Sequence, residues 1–250
     1  MKTREKRLLY KALLDWFSAE KRDLPWRLNR TWYRVWISEV MLQQTQVNQV
    51  IPYFNRFLEK FPTVQKLAQA TQQEVLKAWE GLGYYARARN LHKAAQQIVS
   101  RYNGEIPQDK KNLVKLPGFG PYTSHAILSL AFNQPYAVVD GNVTRVISRL
   151  FTIRADIQLP DTKKIIQFHM NSLLDKRSPA QFNEAMMELG ATICIPLNPT
   201  CKSCPINRYC LAFQNNQVQE YPLKSAARKK PHIHAFTFIL RKNNKTHTPK

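Results

Sequence analysis

Two carboxylates, a glycine hairpin and four thiols are the groups in this 250-residue chain whose types and spacing could do chemistry. Glu39 sits at helical spacing among Trp36, Ile37, Val40 and Met41. Such apolar neighbours would raise its pKa and keep a proton available. The same spacing also suits an exposed glutamate between core positions. Asp140 precedes a helix that begins around Asn142, where the positive helix end favours an ionised carboxylate, and a plain N-cap is the competing role. Of only seven glycines, Gly118, Gly120 and Gly141 fall between Leu113 and Arg149. In a chain this sparing of glycine, that clustering marks backbone with unusual dihedrals or close ligand approach. The stretch reads as a phosphate grip followed by a catalytic acid. All four cysteines lie in seventeen residues, as Cys194-x6-Cys201-x2-Cys204-x5-Cys210. Such crowding points to one metal centre rather than disulfides, with tetrahedral zinc and a cubane iron–sulfur cluster both open. With all four ligands supplied, the metal would be structural.

Helices must position these groups. Trp32 to Phe57 reads as two helices broken near Pro52, and Val64 to Trp79 as one, stopped by Gly81-Leu82-Gly83. Ala86–Tyr102, Leu113–Leu116, Tyr122–Phe132, Asn142–Phe151, Thr162–Leu174 and Pro179–Thr192 follow. The one alternating, strand-like run is Ala235–Leu240. The body is expected to be all-α. Lys and Arg total 38 against 17 Asp and Glu, a net charge of +21, which points to a polyanionic partner, nucleic acid by default. Eight of the basic residues and no acid lie beyond Tyr221, so the preceding part still carries +13. No apolar run approaches the roughly 18–20 residues of a membrane span. The basic N-terminal stretch carries Glu5, Asp15 and Glu20 with Leu9, Leu13, Trp16 and Phe17 at helical spacing, so a docked helix is expected. A cytoplasmic, nucleoid-associated monomer without a membrane partner is the resulting expectation.

LPWR (24–27), VWISEVMLQQTQV (35–47), WEGLGYYARARNLHKAA (79–95), LPGFGPYT (116–123), DGNVTRV (140–146), FNEAMMELGA (182–191) and the cysteine loop occur in that order. Together they resemble the endonuclease III superfamily of helix-hairpin-helix DNA glycosylases, and within it the MutY-type adenine DNA glycosylases. The resemblance implies a two-lobed fold. Residues 25–133 would form a six-helix barrel lobe carrying the hairpin. Residues 1–24 and 134–222 would form a lobe carrying the iron–sulfur loop 194–210, with 223–250 a linker and a truncated remnant. It implies a 4Fe–4S cluster at Cys194, Cys201, Cys204 and Cys210. It also implies removal of adenine mispaired with 8-oxoguanine or guanine in double-stranded DNA, in base excision repair.

Cleaving that N-glycosidic bond needs a proton for the departing base and negative charge near the developing sugar cation. By resemblance Glu39 is the general acid and Asp140 the anion, supported by Asn142 and Tyr122. Tyr122 stands where the bifunctional, strand-cleaving type carries a nucleophilic lysine, so a monofunctional enzyme is expected. The base must be flipped out of the duplex. Gln43, Gln44, Leu82 and Tyr84 would attend the gap, with Gln44 intercalating and Tyr84 wedging beside the oxidised guanine. Gly118 and Gly120 would grip the backbone, and Trp26, Arg27, Leu42 and Glu184 would form the adenine pocket. Full-length members carry a second, MutT-like domain that reads 8-oxoguanine. Its absence is expected here, which would weaken discrimination against guanine. The competing readings are an endonuclease III-like oxidised-pyrimidine glycosylase and a non-catalytic DNA-binding remnant.

Overall fold

A computed structural model describes residues 2–225 together with the backbone of 240–242 and 245–247. Helix α1 (Thr3–Glu20) opens the chain, and α2 (Trp32–Leu42), α3 (Val47–Lys60), α4 (Val64–Gln69), α5 (Gln72–Ala78) and α6 (Ala86–Tyr102) follow. Then come α7 (Lys110–Leu113), α8 (Pro121–Leu130), α9 (Gly141–Leu150), α10 (Pro160–Leu173), α11 (Pro179–Thr192) and the short α12 (Leu211–Gln214). The body is helical, as its periodicity implies.

Three helix boundaries differ from the expected ones, each for a local reason. The short helix expected at Leu113–Leu116 is α7, three residues earlier, because Asp109 caps it by accepting the Asn112 amide at 2.9 Å. The break between α2 and α3 falls at Gln43–Gln46, where Gln44 turns left-handed (φ 60°), and Pro52 is absorbed inside α3. The stretch from Val64 to Trp79 is two helices because Thr71 caps α5. Its side chain accepts the Glu74 amide while Glu74 accepts the Thr71 amide, a reciprocal box that restarts a helix wherever it occurs. Of the expected strand, Ala235–Ile239 lie outside the described residues. From Leu240 a short antiparallel hairpin is formed, β1 (Leu240–Lys242) on β2 (Lys245–His247), with Leu240 opposite His247.

Apolar side chains gather into two cores. One runs from Leu24 to Val138 and holds Trp36, Phe54, Phe57 and Trp79, drawn from α2 to α8. The other joins Leu9, Leu13 and Phe17 of α1 to residues of α9, α10 and α11. These three recur every fourth residue and so line one face of α1. Tyr10 stacks on Phe182 of α11 with ring centroids 5.8 Å apart. Met187 packs against both cores. Between them α8 packs on both α2 and α11, and the seam opens into a cleft of about 1110 Å³.

Candidate active site and four-cysteine loop

Glu39 lies on the face of α2 that forms the wall of this cleft, and only 4% of it is exposed. Among the described residues its carboxyl has one hydrogen-bond partner, the Tyr122 hydroxyl across the cleft, which donates to Oε2 at 2.7 Å. Burial pushes the Glu39 carboxyl up to about 7, and the charges of Asp140 and Glu184 add to that rise while the Tyr122 hydroxyl opposes it. A carboxyl with no cation to compensate it keeps its proton. Burial likewise drives Tyr122 well above its ordinary value, with Glu39 and Asp140 adding to the effect, so it remains a phenol that donates.

Asp140 faces the same cleft from the start of α9. Its Oδ1 accepts the Val143 amide at 2.6 Å and its Oδ2 the Asn142 side-chain amide at 3.2 Å. The cap role and the cleft position therefore coexist in one residue. The helix end does not by itself set the charge. Burial raises the Asp140 carboxyl above its ordinary value, against the pull of these two donors and of Arg145. Asn142 is in turn held by Arg145, whose Nη2 donates to Asn142 Oδ1 at 2.9 Å and to the Gly190 carbonyl at 2.7 Å. A Cβ added to Gly190 would come within 2.6 Å of the Asn142 Cβ, so glycine is what lets α11 cross so near the start of α9.

The far wall is ionic. Glu188, 1% exposed, accepts Arg22 Nε at 2.7 Å and Arg27 Nη2 at 2.9 Å, which ties the LPWR segment onto α11. Burial works against ionisation there, but the two arginines hold Glu188 below the usual carboxylate range. Glu184, one turn earlier, is held by Arg30 Nη2 at 2.7 Å and faces Arg27 Nε at 3.4 Å. Trp26, Arg27, Leu42 and Glu184 all line the cleft, Trp26 with its ring edge-on to Phe54.

The hairpin joins α7 to α8. Gly118 adopts φ +80°, with the Asn90 Cβ only 3.1 Å from where its own Cβ would stand. Gly120 is different, because its φ of −75° suits any residue. What glycine leaves there is open space, with nothing within 4 Å of an added Cβ, in front of a helix start that no side chain caps. Such a start offers its N–H groups to an anion.

Gln43, Gln44 and Tyr84 share a second cleft of about 540 Å³ with Tyr85, Ala86, Arg87 and Arg89. Tyr84 is 60% exposed, whereas Leu82 is buried in the first core at 4%. Of the residues expected to attend the gap, Leu82 lies beneath the turn while Tyr84 projects from it. Arg87 escaped the sequence reading, because one arginine in a basic helix looks like a surface phosphate contact. Glu188 did carry a signal, as a lone acid between Met186, Met187 and Leu189, the pattern that singled out Glu39.

Cys194, Cys201, Cys204 and Cys210 are free thiols, each partly buried, on the loop packed against α9. They lie within electrostatic reach of one another, and burial pushes Cys204 up to about 12. Among the described residues no three metal-ligating side chains are gathered closely enough to hold a single ion. Buried beside them, Arg149 is 2% exposed and donates to Cys194 Sγ at 3.3 Å, to the Ile195 carbonyl at 2.8 Å and to the Pro196 carbonyl at 2.9 Å. Its remaining partners are the Val218 and Tyr221 carbonyls. A buried guanidinium whose partners are carbonyls and one sulfur is the counter-charge that a group of thiolates needs. The donor set thus fits a centre bound through four thiolates.

Residues 37–176 match the family model described as HhH-GPD superfamily base excision DNA repair protein. An adenine DNA glycosylase of Buchnera aphidicola from Acyrthosiphon pisum is 39% identical over 241 residues, covering 96% of this chain and 69% of that protein. One from Rattus norvegicus is 46% identical over 215 residues, covering 81% of this chain but 41% of the rat protein. Among solved structures, a non-covalent endonuclease III–DNA complex superposes with a TM-score of 0.71 at 25% identity, covering 86% of this chain and 98% of that one. No helix among the described residues is long and apolar enough to cross a membrane.

Proposed function

The chain belongs to the adenine DNA glycosylases of the HhH-GPD superfamily, and from that premise we propose that it excises adenine mispaired with 8-oxoguanine or guanine by hydrolysing the N-glycosidic bond. The observation that carries the reading is the pairing of Glu39 with Asp140 across one cleft, the first raised to about 7 and the second held by N–H donors. The extruded base enters between Trp26, Leu42 and Glu184. Glu39 delivers its proton to a ring nitrogen, the base departs, and Asp140 faces the sugar as positive charge develops there. Water completes the hydrolysis on the sugar, leaving an abasic site and free adenine. Glu184, paired with Arg27 and Arg30, is placed to meet the 6-amino group of adenine, where guanine carries a carbonyl oxygen.

DNA is held at the hairpin, where Gly120 and the start of α8 meet a phosphate, while Gln44 and Tyr84 enter the duplex. Cys194, Cys201, Cys204 and Cys210 would hold a 4Fe–4S cluster, the centre that membership of this family favours over zinc, with Arg149 as the counter-charge beside its thiolates. Bound there, such a cluster would order the loop beside α9. An anaerobic preparation should be brown, whereas a colourless zinc protein would overturn the assignment.

One feature favours a second reading. Lys163, on the exposed rim of the same cleft, is an amine that could attack the sugar as in a lyase. Duplexes carrying A opposite 8-oxoguanine, A opposite G and thymine glycol separate the two. Breakage at A only after alkali supports the hydrolytic reading. Nicking of thymine glycol without alkali, trapped by borohydride, supports the lyase. Salt-sensitive binding with no cleavage of any duplex would leave a DNA-binding remnant.

A further inference from the structure

Arg87 occupies the first turn of α6, where a cation opposes the helix dipole. Its place is explained by what its guanidinium reaches. Nη1 donates to the carbonyls of Val40 at 2.9 Å and Met41 at 2.8 Å, in the last turn of α2, and to that of Gln43 just past its end. Nη2 donates to Thr45 Oγ1 at 3.1 Å and to the Leu82 and Gly83 carbonyls at 3.4 and 3.3 Å. The guanidinium also lies over the Trp79 and Tyr84 rings, 5.5 and 5.3 Å from their centroids. One side chain therefore rivets two loops that are about forty residues apart in sequence.

Each of those loops carries one non-glycine residue in the left-handed region, Gln44 at φ 60° and Tyr84 at φ 49°. Both are exposed and both line the smaller cleft. An exposed glutamine or tyrosine relaxes out of that region unless its neighbours hold it there. The restraint common to both is Arg87.

We propose that Arg87 is a positioning residue that fixes Gln44 and Tyr84 in their projecting, left-handed conformations before DNA arrives, so that contact distorts the duplex rather than the two loops. Nothing in this role touches the reacting atoms. It rests on the reading of the chain as a base-extruding glycosylase with Gln44 and Tyr84 at the duplex. Lysine cannot replace the arginine, since a single ammonium has three donors and no planar fork to span both loops.

The test uses a duplex with 2-aminopurine in the adenine position opposite 8-oxoguanine, whose fluorescence rises when the base leaves the stack. With Arg87→Lys, affinity for the duplex should stay within about threefold while the fluorescence rise and single-turnover excision of adenine fall about tenfold or more. A full fluorescence rise in Arg87→Lys, or a loss of affinity matching the loss of fluorescence, would overturn the proposal. Thr45→Val removes the hydroxyl that accepts from Arg87 and donates at 3.4 Å to the Gln43 carbonyl, changes no charge, and keeps the test open if Arg87→Lys does not fold. It should reduce the rise by about threefold, and an unchanged rise would contradict the proposal. If the wild-type protein neither excises adenine nor raises fluorescence, the glycosylase reading has failed rather than the role of Arg87.

Discussion

The two walls of the cleft treat buried carboxylates in opposite ways. On the α2 wall Glu39 meets one phenol and, among the described residues, no cation, and burial keeps it protonated to about pH 7. On the α11 wall Glu188 is buried just as deeply, yet Arg22 and Arg27 hold it ionised. Asp140, at the α9 edge, stands between these extremes: burial raises it, while the Val143 amide, the Asn142 amide and Arg145 resist. Burial alone therefore does not assign a role. The donors that accompany it do, and they separate a proton source from a fixed anion within one cavity.

The largest expected effect comes from breaking the proton source. Glu39→Gln keeps an acceptor for the Tyr122 hydroxyl but has no proton to give, and single-turnover excision should fall by about a thousandfold or more with DNA affinity retained. Asp140→Asn should separate anion from cap. Asparagine caps a helix about as well as aspartate, so thermal stability should change by less than about 1 kcal/mol. Excision should nevertheless fall by about a hundredfold, because the charge facing the sugar is gone.

Stability sharpens the contrast between the walls. Folded Glu39 keeps its proton to about 7 while the unfolded chain sheds it near 4.5, so stability falls as pH rises between these values and the loss is complete above 7. Glu39→Gln removes that cost and should gain on the order of 2–3 kcal/mol at pH 8 and little at pH 5. Glu188→Gln should do the reverse and destabilise at neutral pH, since it strands Arg22 and Arg27, and melting curves across pH read both. The smallest effect is expected from Tyr122→Phe. Losing its hydrogen bond raises Glu39 further, so the alkaline limb of the rate profile should move upward by a fraction of a unit.

Much of this site was legible in the chain. Glu39, Asp140 and Tyr122 belong to short motifs whose order carries the resemblance, and the structure brings the three together across one cleft. The helical body follows from periodicity alone. What local pattern could not supply was long-range pairing. Arg87 looks like a surface cation until its acceptors on α2 are known, and the burial of Leu82 beneath the Tyr84 turn follows only from how the core closes over it. The split between α4 and α5 turns on two reciprocal hydrogen bonds at Thr71 and Glu74, too local a feature to interrupt an apolar period read over fifteen residues. The charge of Asp140 depends on how deeply folding buries it, which its place before a helix does not reveal.

The most direct test of the division between acid and anion is the pH dependence of single-turnover excision from an A opposite 8-oxoguanine duplex, read by alkaline cleavage. With Glu39 as the acid, the rate should be level below about pH 7 and fall about tenfold for each unit above it, as the protonated form is lost. A rate that stays level or rises from pH 7 to pH 9 would contradict the account.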